Sequence, residues 1–229
     1  MSRRNTRRGT TSGRPMYGIG GLGSDPYMAT NISACPGSAA GFYVAAVFRM
    51  RTVSDGNYVL SAAGAGVGWA FIVNGANLGF RAYDGVGGLM LSPDAALTAN
   101  QVVGMVGVYD GTKLRCYAAG VELGSGTNMT GYSPITGQMY VGAYSVTTAP
   151  LDWFGTAYAV GVPSAQNIAD WYTACKAERR CADMPGVAAT NLWRPTATGA
   201  APTDSVGGIG TTIVGTQPPA ISNRSPAWG

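Results

Sequence analysis

The sequence contains no histidine and few charged residues of either sign. Its 229 residues include 15 Lys and Arg and 11 Asp and Glu, so charged side chains make up only 11% of the chain. The absence of histidine removes imidazole both as a general base and as a metal ligand, roles that it fills more often than any other side chain. Low charge also predicts a surface with little electrostatic repulsion, which suits packing into an assembly as well as it suits a soluble monomer.

The chain also lacks a membrane span, a secretory signal and a disulfide framework. No apolar run approaches the length of a bilayer span, and the N-terminal arginines are not followed by the apolar core of a Sec-type signal peptide. The four cysteines form no Cys-x-x-Cys pair, so we expect free thiols. We interpret Cys116 as a core thiol. Cys175 and Cys181 lie close enough in sequence to be either free thiols or a late disulfide.

Glycine and apolar residues are abundant instead. The 35 glycines and the 46% of hydrophobic residues are typical of many short strands joined by Gly-rich turns. A chain of this length suits one all-β domain with a substantial core. We therefore expect an extended basic arm at residues 1–25, a sandwich at 26–216 and a C-terminal tail at 217–229.

The expected arm carries five positive charges before the first acidic residue. They come from Arg3, Arg4, Arg7, Arg8 and Arg14, and the rest of the chain has ten basic and eleven acidic residues. The segment has no hydrophobic period, which predicts an extended conformation. Its composition favours a solvated tail, or an arm that orders on neighbouring subunits, over a nucleic-acid reader. We take these five arginines as a partner-binding arm.

A predicted β-hairpin at 102–123 organises the middle of the chain. Two apolar runs flank Asp110-Gly111, a pair typical of tight hairpin turns, and we expect Tyr109 to pair with Thr112. The period of two then places one set of residues on a buried face: Val103, Met105, Tyr109, Leu114, Cys116 and Ala118. The opposite face carries Val106, Val108, Lys113, Arg115 and Tyr117.

Other strands show the same alternation. In the strand at 41–53, one face is expected in the core and consists of Phe42, Val44, Ala46, Phe48 and Met50. The other face is expected in solvent and consists of Tyr43, Ala45, Val47, Arg49 and Arg51. A second hairpin is predicted around Asn74-Gly75, and its return strand turns Arg81 and Tyr83 outward. In the strand after residue 151, Phe154, Thr156 and Tyr158 are expected opposite Trp153, Ala157 and Ala159. Both faces of that strand are apolar, which predicts a cover on each side.

One helix, at about 164–180, is the expected cover. Ser164 is a good N-cap, and Ile168, Trp171, Tyr172 and Cys175 recur at helical spacing before Pro185-Gly186 ends the run. An aromatic stripe of this kind indicates packing more often than a ligand platform. Trp228 is a large apolar side chain near the end of the chain, so we expect the tail to dock on the sandwich.

These motifs resemble the concanavalin A-like lectin/glucanase superfamily, and in particular its laminin-G-like modules. The segments that carry the resemblance are VGVYDGTKLRCYAAGVEL and LDWFGTAYAVGVP with the helix that follows, within a region of about 41–216. The resemblance implies an all-β, antiparallel two-sheet jelly-roll sandwich, with one short helix in the C-terminal half and extended N- and C-terminal arms. Motifs of this kind specify a fold better than a function.

Catalytic members of that superfamily hydrolyse glycans with a Glu-x-Asp-x-x-Glu strand, since the retaining reaction needs two close carboxylates. The chain has only two glutamates, Glu122 and Glu178, and no carboxylate pair at alternate positions of a predicted strand. We therefore expect no enzyme, no catalytic residue and no cofactor.

Two kinds of binding stay open. Laminin-G-like modules often carry a rim Ca²⁺, which needs oxygen ligands. Asp84, Asp110, Asp152 and Asp204 all lie beside predicted turns, where we interpret them as turn formers, so no metal ligand is assigned. Glycans are the other alternative, because tyrosine rings stack on sugars. The candidate glycan or partner surface is Tyr83, Tyr117, Tyr132 and Tyr144, although tyrosines are also common strand fillers.

The sequence thus favours a non-enzymatic structural protein of a large particle. We expect a capsid-decoration or fibre protein of a bacteriophage virion, assembled in the host cytoplasm as a homo-oligomer or with capsid or tail proteins. Extended arms favour this hypothesis, because burial on a neighbour offsets the entropy of ordering them. The alternative is a lectin-like adhesion module that binds a surface glycan at the sandwich rim or the loops at 124–132. We expect neither a nucleic acid nor a membrane as partner.

Overall fold

Two antiparallel sheets and one helix make up the main regular structure of the described residues. The computed structural model describes residues 16–22, 27–30, 35, 37–56, 58–64, 66–86, 89–91, 95–129, 131–144, 147–148, 150–196, 200–214, 220–223 and 227–228. The strands are β1 (Met16–Leu22), β2 (Tyr27–Thr30), β3 (Phe42–Met50), β4 (Tyr58–Gly64), β5 (Val67–Asn74), β6 (Asn77–Tyr83), β7 (Leu89–Leu91), β8 (Ala95–Ala96), β9 (Val102–Tyr109), β10 (Lys113–Ala118), β11 (Val121–Glu122), β12 (Thr127–Asn128), β13 (Tyr140–Val141), β14 (Ala143–Tyr144), β15 (Thr147–Thr148), β16 (Leu151–Val160), β17 (Asn191–Trp193), β18 (Thr211–Val214) and β19 (Ala220–Asn223), and the helix is α1 (Ala165–Glu178).

The strands form two large sheets. Sheet A has the order β11-β10-β9-β3-β16-β1-β19, with β12 beside β10 and β17 beside β16. Sheet B has the order β18-β2-β13-β4-β5-β6-β7, with β8 beside β6, and β14 pairs with β15 in a small third sheet. The expected all-β, two-sheet sandwich with one helix is confirmed.

The main core lies between the two sheets. Every second residue of the central strands points into it, and a group of aromatic rings fills its middle. The ring centroids of Phe42 and Tyr132 are 4.9 Å apart, and those of Phe71 and Phe80 are 5.2 Å apart. The predicted inward residues of β3 are buried here, which confirms that half of the alternation.

A second core lies on the opposite side of sheet A. Tyr43, Ala45 and Val47 of β3 were expected in solvent, but they are buried beneath α1 and the segment at 181–189. Val106, Val108 and Tyr117 of the hairpin are buried in the same layer. The prediction of a solvent face is wrong for these six residues. The helix was expected to cover the strand after residue 151, and it covers β3 and the hairpin as well.

The hairpin forms with a register that differs from the predicted one. Tyr109 pairs with Leu114 and not with Thr112, so the connection spans Asp110 to Lys113. The carboxylate of Asp110 closes it by accepting the backbone N–H groups of Thr112 and Lys113 at 2.9 and 2.7 Å. Because the register shifts by two residues, both predicted faces are preserved.

Helix α1 begins and ends near the predicted residues. Ser164 is its N-cap and forms a capping box with Asn167, and Arg179 closes the C-terminus in a left-handed conformation. Trp171 donates its indole N–H to the carbonyl of Ala182 at 3.0 Å, which ties the helix to the segment that follows it. Within the described ranges, no helix is long and apolar enough to cross a bilayer.

The sandwich extends past both predicted boundaries. β1 lies at residues expected in the basic arm and β19 at residues expected in the tail, yet both belong to sheet A, where Met16 pairs with Asn223. The docked tail is confirmed: the Trp228 ring lies 5.7 Å from that of Tyr172, and Val102 donates its N–H to the carbonyl of Ala227. The arginines of the arm, at 3, 4, 7, 8 and 14, lie outside the described residues.

Candidate functional site

The outer face of sheet B carries a row of residues that crosses five strands in register. Ala29 pairs with Tyr140, Tyr140 with Ser61, Ser61 with Ala70, and Ala70 with Arg81. Directly paired side chains point to the same side of a sheet, so the row shares one face. The adjacent row contains Met28, Val141, Leu60, Phe71 and Phe80, all of which point into the main core. The first row therefore lies on the face turned away from that core.

Small side chains separate Tyr140 from Arg81 in this row. Ser61 and Ala70 lie between them and are shielded from solvent, whereas Tyr140 and Arg81 are partly exposed. With strands about 4.8 Å apart, the backbones of Tyr140 and Arg81 are about 14 Å apart. Tyr140 and Arg81 thus flank two small residues that solvent does not reach.

Further tyrosines surround the row. Tyr27 lies two residues before Ala29, Tyr83 lies two residues after Arg81, and Tyr58 is on β4. All three are partly exposed. Tyr27 and Tyr140 form a ring pair with centroids 6.2 Å apart and planes tilted by 56°. The Tyr140 hydroxyl also donates to Oε1 of Gln138 at 3.3 Å. We call Tyr27, Tyr58, Tyr83, Tyr140 and Arg81 the tyrosine face.

Arg81 has an unusual environment in this face. Its Nε is buried and has no hydrogen-bond acceptor. Other described arginines do have acceptors: Arg49 and Arg51 bind Asp152, Arg115 binds Asp110 and Glu122, Arg180 binds Glu178, and Arg194 donates to the carbonyl of Cys181. The remaining described carboxylates accept hydrogen bonds from groups other than Arg81: Asp55, Asp84, Asp170, Asp183 and Asp204. Buried donors without partners are rare in native proteins.

Comparison with protein families assigns this sandwich to a superfamily. The family model that matches is described as the concanavalin A-like lectin/glucanases superfamily, and it covers residues 22–156, more than half of the chain. The chain belongs to this superfamily. The match contains β2 to β15, and so the whole tyrosine face. No curated protein sequence matches the chain.

Solved structures show the same fold at low sequence identity. A Bacteroides ovatus ATCC 8483 protein, proposed to bind carbohydrate, is 14% identical with a TM-score of 0.62 and matches 93% of this chain and 62% of its own. The heptameric SAP-like pentraxin of Limulus polyphemus is 10% identical with a TM-score of 0.55, over 87% of this chain and 95% of its own. This chain spans less than two thirds of the Bacteroides protein, and identities this low show the fold alone.

Two members of the predicted tyrosine surface are interior residues. Tyr132 is only 5% exposed and packs between the sheets against Phe42 and Tyr109. Tyr117 is also 5% exposed and lies in the layer under α1, and its hydroxyl donates to Glu122 at 3.3 Å. Burial, followed by the charge of Glu122, raises the pKa of Tyr117 to about 12. Neither ring is placed to stack on a sugar, so the prediction is wrong for both.

The other predicted surface residues lie on or near sheet B. The outward orientation of Tyr83 is confirmed, and Arg81 shares its face. Tyr144 belongs to β14, but its side chain lies outside the described part of the structure. Sequence reasoning missed Tyr27, Tyr58 and Tyr140, because strands of two and four residues such as β13 and β2 are too short to show a period of two.

The four aspartates considered for Ca²⁺ are all engaged in structural contacts. Asp84, Asp110 and Asp204 accept backbone N–H groups in turns, as predicted. Asp152 is an exception, because it lies inside β16 and is wholly buried beside two arginines of the neighbouring segment. Among the residues that the structure describes, no group of three or more acidic or cysteine side chains is arranged to hold a metal. Ca²⁺ binding stays a prediction.

Proposed function

We propose that the protein is a non-catalytic carbohydrate-binding module that holds a glycan on the tyrosine face of sheet B. The observation that carries this proposal is the placement of four partly exposed tyrosines around small residues on one sheet face. Tyrosine offers an apolar ring for the C–H face of a sugar and a hydroxyl for its polar groups. The ring pair of Tyr27 and Tyr140 limits their freedom, which lowers the entropy cost of binding.

Two further observations support binding without catalysis. Most of the described carboxylates are engaged as turn formers or ion-pair partners. Glycoside hydrolysis requires a pair of catalytic carboxylates. The fold is shared with the Bacteroides ovatus protein proposed to bind carbohydrate, which adds support at the level of the fold.

A glycan array followed by titration calorimetry tests this proposal. We expect dissociation constants in the millimolar to micromolar range, and Tyr140→Ala should weaken binding roughly three- to tenfold through the loss of one stacking ring. The matched control is Val121→Ala, since Val121 is 67% exposed and lies at the far edge of sheet A. Thermal melts check that both variants are folded. An array without binding, or equal losses in both variants, contradicts the proposal.

A second candidate function is a role as a subunit of a large particle, such as a virion. The observation that favours it is the pairing of Met16 with Asn223, which brings two ends of the sandwich together at one edge of sheet A. The basic segment with its five arginines directly precedes Met16. Such a segment becomes ordered when burial on a neighbouring subunit offsets its entropy.

Light scattering after size-exclusion chromatography tests the assembly role. The full chain is compared with a variant that lacks residues 2–14, and both are checked for folding by circular dichroism. We expect the full chain to form a defined oligomer whose mass falls when the arm is removed. A monomer in both cases contradicts this role and leaves the carbohydrate-binding proposal untouched.

A further inference from the structure

The Nε–H of Arg81 is a buried donor that no acceptor satisfies. Removing a charged donor from water without giving it a partner is unfavourable, so a native protein keeps such a group only where something else compensates for it. The residues on either side of Arg81 in the row across the sheet are Ala70 and Leu91, and neither side chain can accept a hydrogen bond. The missing acceptor must therefore come from outside the row.

We propose that Arg81 selects glycans that carry a carboxylate, such as uronic or sialic acids. This inference rests on the carbohydrate-binding function proposed above and names the class of sugar. A carboxylate is the acceptor that best fits a guanidinium, because its two oxygens match two parallel N–H donors. A neutral sugar offers only hydroxyl groups, which form weaker bonds to a charged donor.

In the same chain, two other arginines bind a carboxylate through their Nε edge, each with both donors on one carboxylate oxygen. Arg51 approaches Asp152 side-on, with its Nε 2.9 Å and its Nη2 2.7 Å from Oδ1 of the carboxylate. Arg49 approaches the other oxygen of Asp152 in the same way, with its Nε at 2.8 Å. In Arg81 the equivalent Nε edge is free of an acceptor. Because that edge is buried in the unliganded protein, binding includes a rotation of the Arg81 side chain toward the ligand.

Neighbouring residues fix where the acidic sugar lies. Tyr83 is two residues from Arg81 on the same strand and face, about 7 Å along the strand. A sugar ring stacked on Tyr83 can thus present its carboxylate to Arg81.

Matched pairs of ligands test this inference by titration calorimetry. One pair is trigalacturonic acid and its methyl ester, and the other is sialyllactose and lactose. In at least one pair, the wild-type protein should bind the acid about tenfold more tightly than the neutral partner. The pair that shows the preference identifies a uronic or a sialic acid as the ligand.

Variants assign the preference to Arg81. Arg81→Gln should abolish the difference in affinity between the acid and its neutral partner, and Arg81→Lys should restore only part of that difference, since an ammonium lacks the side-on edge. Arg180→Gln is the charge-matched control, because Arg180 pairs with Glu178 at the end of α1. An equal loss in Arg180→Gln overturns the inference.

The two proposals fail in different ways. Equal affinity for acid and neutral sugars, both weakened by Tyr140→Ala, overturns the role of Arg81 and leaves carbohydrate binding in place. Absence of binding by all four ligands and across the array overturns both.

Discussion

The indole N–H of Trp153 donates a hydrogen bond to the hydroxyl oxygen of Thr156, 2.9 Å away, across a bulge in β16. Residues three apart on a regular strand point to opposite faces. Here the register shifts between Trp153 and Gly155, and Phe154 has no partner in β3. Trp153 and Thr156 therefore share the side of the main core, and Phe154 and Ala157 share the side of α1. The bulge thus lets one strand supply both cores.

Gly155→Ala should destabilise the folded protein. Gly155 has φ of +136°, and an added Cβ would lie 2.6 Å from the Cβ of Cys181 and 2.9 Å from the carbonyl oxygen of Trp193. Backbone strain and the clash together should lower the free energy of unfolding by about 3–5 kcal/mol, measured by urea denaturation.

The control for this variant is Gly56→Ala. Gly56 also has a positive φ, +76°, but nothing lies within 4 Å of an added Cβ. Strain alone should cost about 1–2 kcal/mol. Equal losses in the free energy of unfolding would show that the clash at Gly155 adds nothing to the cost of backbone strain.

The bulge also marks where sequence reasoning stops. Strict alternation predicted Thr156 and Tyr158 on the face of Phe154, and the register shift between Trp153 and Gly155 moves them to the opposite face. The faces of the hairpin at 102–123 were predictable despite the wrong register, because a shift of two residues preserves them. Tyr132 was not predictable, since it lies in a loop without periodicity and its burial depends on distant Phe42.

The face of Arg81 and Tyr83 was predictable from alternation within β6. Its extension to Tyr140 was not, because it depends on which strands neighbour each other in sheet B. Local patterns determine the face of a residue, whereas long-range pairing determines its neighbours.

Asp152→Asn should be strongly destabilising. Asp152 is wholly buried and binds both Arg49 and Arg51. Removing its charge leaves two guanidinium groups without a counter-charge, although partial exposure of the arginines allows some solvent screening. We expect a loss of about 2–4 kcal/mol in the free energy of unfolding. Glu178→Gln, which disrupts the exposed pair with Arg180, should cost about 0.5 kcal/mol or less; a similar loss in both would be inconsistent with this account.

The four cysteines should be unreactive in the folded protein. Cys35, Cys116, Cys175 and Cys181 are all free and buried. Burial, followed by the hydrogen bond and charge of Cys175, raises the pKa of Cys181, and only the thiolate is an effective nucleophile. Ellman's reagent should therefore find no reactive thiol within minutes under native conditions and four after denaturation. Finding only two after denaturation without a reductant would instead indicate a disulfide between Cys175 and Cys181.

Asp110 should make the stability of the hairpin depend on acid pH. Burial raises the pKa of its carboxyl group, but hydrogen bonds from Thr112, Lys113 and Arg115 outweigh burial and hold the pKa below its ordinary value. A depressed pKa in the folded state stabilises the protein above about pH 4, and this contribution is lost as the pH falls through the folded-state pKa. Urea midpoints of the wild type should therefore exceed those of Asp110→Asn at neutral pH, and the gap should narrow toward about pH 2. A gap that stays constant over this range would show that the charge of Asp110 does not stabilise the turn.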